Sequence, residues 1–368
     1  MSKIGLFLAG GGARGAFQAG VIKAIHTILK TPAVPFELIS GASAGAGNAC
    51  ILAQNADNFK RAVKELEDLW CNIKSHNMYN ANNLDITKSL LRNMGIMFVE
   101  QHHSGFLLDS EPLKKLLAEH INFKKISKNI AEKKIKMLEV ICTCYDTQRN
   151  YSFCQQNDPD FSHWQHYKHM SMTSDIHLNH VLASSALPLF FAPVKIEDKY
   201  YGDGSMGLVS PLRGLIHTKA DKILIISNRN AMTTDDKPIQ TKIGFSHILG
   251  TMLNSLFQDN LDREIEIVNH LNELSGMVSS WNRKNSPWKS IKTLHIRPNI
   301  ELAKIALKYQ NHLPSGLKVL MSIFGGGAQS GDLVSFLLFE SPFTEEIFQL
   351  GYDSTLDISE DVLEFFDN

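Results

Sequence analysis

No stretch of this 368-residue chain approaches the roughly 20 consecutive apolar residues that a membrane-spanning helix needs. The first residues run straight into a strand-like pattern, with no basic segment followed by an apolar one, so an ordinary signal peptide is not expected. The expected location is the cytoplasm or the surface of a membrane, with delivery into another cell left open. Charge of one sign is missing as well. Lys and Arg number 37 against 38 Asp and Glu, which gives no whole-chain pull toward nucleic acid or an anionic surface. Cysteine is scarce. Cys50, Cys71, Cys142, Cys144 and Cys154 are odd in number and lack framework spacing, so they read as buried thiols of a reducing compartment. No internal repeat and no low-complexity tract is present. A chain that is 43% hydrophobic and 20% charged is an ordinary globular one, long enough for one large α/β domain or two smaller ones.

What the chain does have begins at residue 3. An apolar run of strand character meets Gly10-Gly11-Gly12-Ala13-Arg14-Gly15, and then Phe17, Val21, Ala24, Ile25 and Ile28 recur at helical spacing. A strand that breaks into glycines at a helix start leaves N–H groups aimed outward, which suits an anion. Read literally, Gly10, Gly12 and Gly15 fit the dinucleotide-binding fingerprint. That fingerprint also wants an acid at the end of the next strand. Glu37 falls at the start of that strand instead. The strand ends in Gly41-Ala42-Ser43-Ala44-Gly45, a G-x-S-x-G nucleophile elbow. An anion cradle beside an exposed serine fits acyl transfer better than cofactor binding. Strand, helix and strand in this order imply a right-handed βαβ unit and a parallel sheet.

Further along, residues 58–70 read as an amphipathic helix, and 86–99 as a helix leading into an apolar segment that could cover the site. Residues 107–121 read as a helix opened by Asp109, Ser110 and Pro112. The lysines of 124–136 read as a solvated face. Residues 137–145 and 151–154 form a predicted hairpin. His163, His166 and His169 have a metal-like spacing, but no acid or cysteine completes a shell, so no metal is expected. Residues 179–194 predict a short helix of small residues broken at Pro188. Asp203-Gly204 after two tyrosines is by itself a hairpin-turn signal. Residues 222–228 predict another buried strand. A polar loop over 229–240 marks the expected boundary between a core, 1–230, and a mainly helical part, 231–368, with one further strand at 291–296. The mixture of Trp281, Arg283, Lys284, Trp288, Lys289 and Lys292 reads as a loop anchored by its tryptophans.

A serine hydroxyl needs a base. The histidines downstream of residue 203 are His217, His247, His270, His295 and His312, and none lies in a setting typical of a catalytic histidine.

At this point Gly10 to Gly15, Gly41 to Gly45, the Ala183-Ser184-Ser185-Ala186-Leu187-Pro188 segment and Asp203-Gly204, in that order, resemble the patatin-like phospholipase family. The resemblance runs over residues 3–211. It thins beyond, where 331–339 and 351–352 are similar to the tails of bacterial members. It implies a three-layer α/β/α fold with a central, mostly parallel sheet and a Ser–Asp dyad. It implies Ser43 as nucleophile, Asp203 as base, and Gly10, Gly11, Gly12 and Arg14 at an oxyanion hole, with Gly41 and Gly45 shaping the elbow. The implied substrate is a phospholipid or other lipid ester at a membrane surface, with no metal, organic cofactor or nucleic acid and an activating protein left open. Ser205 stands where the family has glycine or alanine. The alternatives are a soluble carboxylesterase or thioesterase and, in another class, a non-catalytic lipid-binding or regulatory protein.

Overall fold

The structure, a computed structural model, describes residues 2–80, 108–159, 161–166, 168–230, 245–277, 288–323 and 331–367. The expected cover at 86–99, Trp281, Arg283 and Lys284 lie outside them.

Strand β1 (Ile4–Leu8) runs through the middle of a single mixed sheet. It is parallel to β2 (Leu38–Ala42) on one side and β8 (Lys222–Ile226) on the other. Beyond β2 lies β3 (Met137–Cys144), also parallel, and beyond β8 lies β9 (Lys292–Ile296). β4 (Arg149–Gln156) turns back antiparallel along β3, and β5 (His169–Thr173) runs parallel to β4. A short hairpin, β6 (Val194–Ile196) with β7 (Lys199–Gly202), attaches to the end of β3 through Thr143 and Cys144. The sequence of β6 and β7 turns at Glu197 and Asp198, not at Asp203-Gly204. Asp203 instead follows β7 and is fully buried. Asp203-Gly204 does open a turn, closed by the Met206 N–H on the Asp203 carbonyl at 3.2 Å, but it leads out of β7 and joins no hairpin.

The strands alternate as a two-sided sheet requires. Leu6, Leu8, Ile39, Leu224 and Ile226 face the helices Gly15–Leu29, Ala44–Gln54 and Phe59–Asn72. Phe7, Leu38, Ile223 and Ile225 face Leu212, Leu215, Leu261 and Val268, contributed by the segment after Asp203 and the long helix Phe245–Met277. The result is a mostly parallel sheet between two helical layers. No helix of the described residues is long and apolar enough to cross a membrane.

The last part of the chain is built onto this frame. The helix Ser341–Leu356 crosses Gly15–Leu29 at backbone contact distance. A Cβ on Gly20 would strike the Phe348 carbonyl, and one on Gly351 the Phe17 carbonyl. These are reciprocal close approaches that only glycine allows. Replacing either by alanine forces the helices apart. Gly20→Ala and Gly351→Ala should each lower stability by about 1–3 kcal/mol in a urea titration.

Candidate active site

Ser43 sits between β2 and the Ala44–Gln54 helix with φ 54° and ψ −129°. A non-glycine residue with positive φ is strained, and here the strain lifts the side chain out of the turn. The elbow glycines are required by packing. A Cβ on Gly41 would strike the Gly45 carbonyl, and one on Gly45 the Leu8 carbonyl.

The segment after the Leu178–Ser184 helix joins this turn to the acid. The Ser43 N–H donates to Ser184 Oγ at 2.9 Å, and that hydroxyl donates to the Ile141 carbonyl at 2.6 Å. The Gly204 N–H donates to the Ser184 carbonyl at 3.1 Å, and the Asp203 N–H to the Ala186 carbonyl at 3.0 Å. From β3, Thr143 Oγ1 donates to the Asp203 carbonyl at 2.8 Å. Ser43 and Asp203 are therefore fixed by two neighbouring residues of one strap.

Asp203 is enclosed. Burial raises its pKa to about 6, opposed by the hydroxyl of Ser43 and by the backbone N–H and hydroxyl of Ser205. The Ser205 N–H donates to Oδ1 at 2.9 Å. Oδ2 has no partner of full hydrogen-bond geometry among the described residues, so the Ser43 hydroxyl is close but not aligned. Catalytic hydrogen bonds are commonly loose in a free enzyme.

The glycine loop lies beside Ser43. A Cβ on Gly10 would fall on Ser205 Oγ and 3.0 Å from Ser43 Cβ. Gly12 has φ 55°, and a Cβ there would strike the Phe336 carbonyl. Among the described residues, nothing accepts a hydrogen bond from the N–H groups of Gly10, Gly11 or Gly12. The loop is braced from beneath by groups that the sequence did not mark. Asn228 Nδ2 donates to the carbonyls of Ala9 and Gly10 at 3.1 and 3.0 Å. Gln18 Nε2 donates to the Ala9 carbonyl at 2.6 Å, and Asn48 and Trp70 continue that buried network. The available signal was polarity: Gln18 and Asn48 interrupt otherwise apolar helix faces.

Arg14 is buried at 3% exposure and its guanidinium serves the Gly331–Leu337 helix. It donates to Ser335 Oγ at 2.8 Å, pairs with Asp332 at 2.9 Å and stacks on the Phe336 ring. Burial lowers its pKa, against the attraction of Asp332. Arg14 thus ties the glycine loop to the C-terminal part.

No described histidine ring hydrogen-bonds Ser43. His295 Nε2 contacts Ser227 Oγ at 2.7 Å, with Asp262 3.7 Å from Nδ1. Asp262 is exposed, but Ser227, the hydroxyl of this Ser–His–Asp line, is 3% exposed and lines no described cavity. His169 lies on β5 against Ser152, and His163 against Thr173. Among the described residues no cluster of His, Cys, Asp and Glu is suited to a metal ion.

A cavity opens at Ser43 and Gly12. Leu69, Trp70, Leu117, Phe191 and Phe339 make it almost wholly apolar. That lining fits an extended apolar ligand. The lysines of the basic stretch point elsewhere: Lys125 donates to Asn55, Lys134 pairs with Asp57 and Glu132, and Lys136 with Glu37.

A lysophospholipase, nte1, of Aspergillus terreus is 48% identical over 54 residues, which are 15% of this chain and only 3% of that protein. The structure of VipD from Legionella pneumophila aligns with 98% of this chain and 67% of its own at 15% identity and a TM-score of 0.40. The family model "Patatin-like phospholipase" matches residues 6–216, which contain the glycine loop, the Ser43 elbow, the strap and Asp203. The chain belongs to the patatin-like phospholipase family.

Proposed function

We propose that this protein hydrolyses carboxylic esters of lipids, of phospholipase A or lysophospholipase type, through an acyl-enzyme on Ser43. The observation that carries the reading is the strap: one short segment holds the Ser43 turn and the buried Asp203 together at the mouth of an apolar cavity.

The ester carbonyl lies against Ser43 with its acyl chain in the cavity. Asp203 accepts the Ser43 hydroxyl proton as Oγ bonds to the carbonyl carbon. The oxygen, now an anion, meets the N–H groups of Gly10, Gly11 and Gly12, where stabilisation is typically the largest single contribution. The intermediate collapses, the C–O bond to the alcohol breaks, and Asp203 returns the proton to the departing oxygen. Water then attacks the acyl-enzyme, again losing a proton to Asp203, and the fatty acid leaves as Ser43 recovers its hydrogen. Arg14 acts as a positioning residue that holds the glycine loop through Asp332. Ser205, in place of glycine or alanine, favours the charged form of Asp203 through its N–H and hydroxyl. Residues 231–368 extend the 1–230 core and supply part of the cavity wall. The substrate is met at a membrane surface, so hydrolysis should rise sharply once lipid exceeds its micellar threshold. A soluble esterase would show no such step.

An alkyl fluorophosphonate should label the wild type on the peptide containing Ser43, and Ser43→Ala should abolish the adduct. Labelling at Ser227, or no labelling together with no fatty acid released from mixed phospholipid vesicles, would sink the proposal. Asp203→Asn should lower kcat/KM by about 10²- to 10⁴-fold while liposome binding persists. Because Asp203 must be deprotonated to act, kcat/KM should fall as pH drops through about 6 and level off above it. A profile flat down to pH ~4, the ordinary carboxylate range, would contradict this role.

A further inference from the structure

The cavity beside Ser43 has one wall whose composition the fold does not require. The Ala44–Gln54 helix turns Ala44, Gly47, Asn48 and Ile51 toward it, one face of successive turns. Ala44 and Gly47 are the two residues of this helix that are not buried. Glycine inside a helix is disfavoured relative to alanine, because it loses more backbone freedom on folding. Gly45 has a packing reason to be glycine, since a Cβ there would strike the Leu8 carbonyl. Gly47 has none. Among the described residues, a Cβ built on it meets no heavy atom within 4 Å, and its backbone is ordinary helix. Its missing side chain leaves open space in the cavity and nothing else. Gly47 lies four residues beyond Ser43, about 6 Å along the axis at about 1.5 Å per residue. An acyl chain bonded to Ser43 would pass there once beyond its first few methylenes. The cavity then continues toward Ile51 and His120, while Leu69, Trp70, Leu117 and Phe191 supply bulky walls.

We propose that Gly47 is a specificity-determining residue, whose lack of a side chain keeps the acyl path open beyond the first turn of the helix and admits long-chain acyl groups. This rests on the reading above that Ser43 carries the acyl group. A larger side chain at 47 would fill the path without moving the backbone, and only short acyl groups would then fit.

The test is Gly47→Leu, assayed with 4-nitrophenyl palmitate and 4-nitrophenyl butyrate. In parallel, lauric acid binding is measured by calorimetry on Ser43→Ala and on Ser43→Ala with Gly47→Leu. The ratio of palmitate to butyrate kcat/KM should fall roughly tenfold or more, and lauric acid affinity should fall in the same sense. Gly47→Ala, which suits the helix better, should raise the melting temperature and lower the ratio by less. It keeps the test decisive if the leucine variant does not fold. An unchanged ratio, or equal loss of both esters by a variant with native circular dichroism, overturns the proposal. If the wild type hydrolyses neither ester, weaker lauric acid binding in the double variant supports the path while sinking the catalytic reading. Unchanged binding overturns the path.

Discussion

The site depends on the strap at residues 184–186. Ser184 uses its hydroxyl twice, accepting from the Ser43 N–H and donating to the Ile141 carbonyl of β3. Its carbonyl and that of Ala186 accept the N–H groups of Gly204 and Asp203. All of these groups are buried, where an unmade hydrogen bond costs about 1–3 kcal/mol. The strap therefore has little freedom to drift, and Ser43 and Asp203 inherit its position. β3 supports the same arrangement from behind, because Thr143 on that strand holds the Asp203 carbonyl.

Enclosure sets the chemistry of Asp203. Burial lifts its pKa to about 6, above the ordinary carboxylate range. At about 1.4 kcal/mol for each tenfold change in proton affinity, that is on the order of 3 kcal/mol of disfavoured charge. The sign follows from linkage. The folded state holds the proton more tightly than the unfolded chain, so the cost is absent below the unfolded value and fully present above the folded one. At neutral pH the fold thus carries a destabilised carboxylate next to a strained serine, two local costs concentrated where a proton has to move. The surrounding polar groups are spent differently. Asn228, Gln18 and Asn48 satisfy loop carbonyls, and Gln18 and Asn48 each other, while the N–H groups of Gly10, Gly11 and Gly12 have no acceptor among the described residues.

Much of the fold was legible because its signals are local. The passage from strand to glycines to helix at residues 4–29 and the G-x-S-x-G turn at 41–45 are each contained within a few residues. Their apolar runs needed only the strand and helix periods to be placed. Other features are long-range, and sequence spacing does not encode them. Nothing near Ser184 marks it as the acceptor for a serine 141 residues away. The same holds for Arg14, whose partners Asp332 and Ser335 lie more than 300 residues on. Asp203-Gly204 is a mixed case. Its local chemistry signals a hairpin turn, and a turn does form, but the hairpin lies earlier, at Glu197 and Asp198, and bonds to Thr143 and Ala186 hold Asp203. The lone mid-helix Gly47 carried a signal that needed the cavity to interpret.

In the proposed mechanism a fatty acyl group is carried on Ser43 while Asp203 moves the protons. Rapid-quench mass spectrometry during turnover of a long-chain ester tests this most directly. A transient acyl adduct is expected on the Ser43 peptide of the wild type, decaying as fatty acid appears and absent from Ser43→Ala. An adduct on any other residue, or fatty acid release at an undiminished rate by Ser43→Ala, would contradict it.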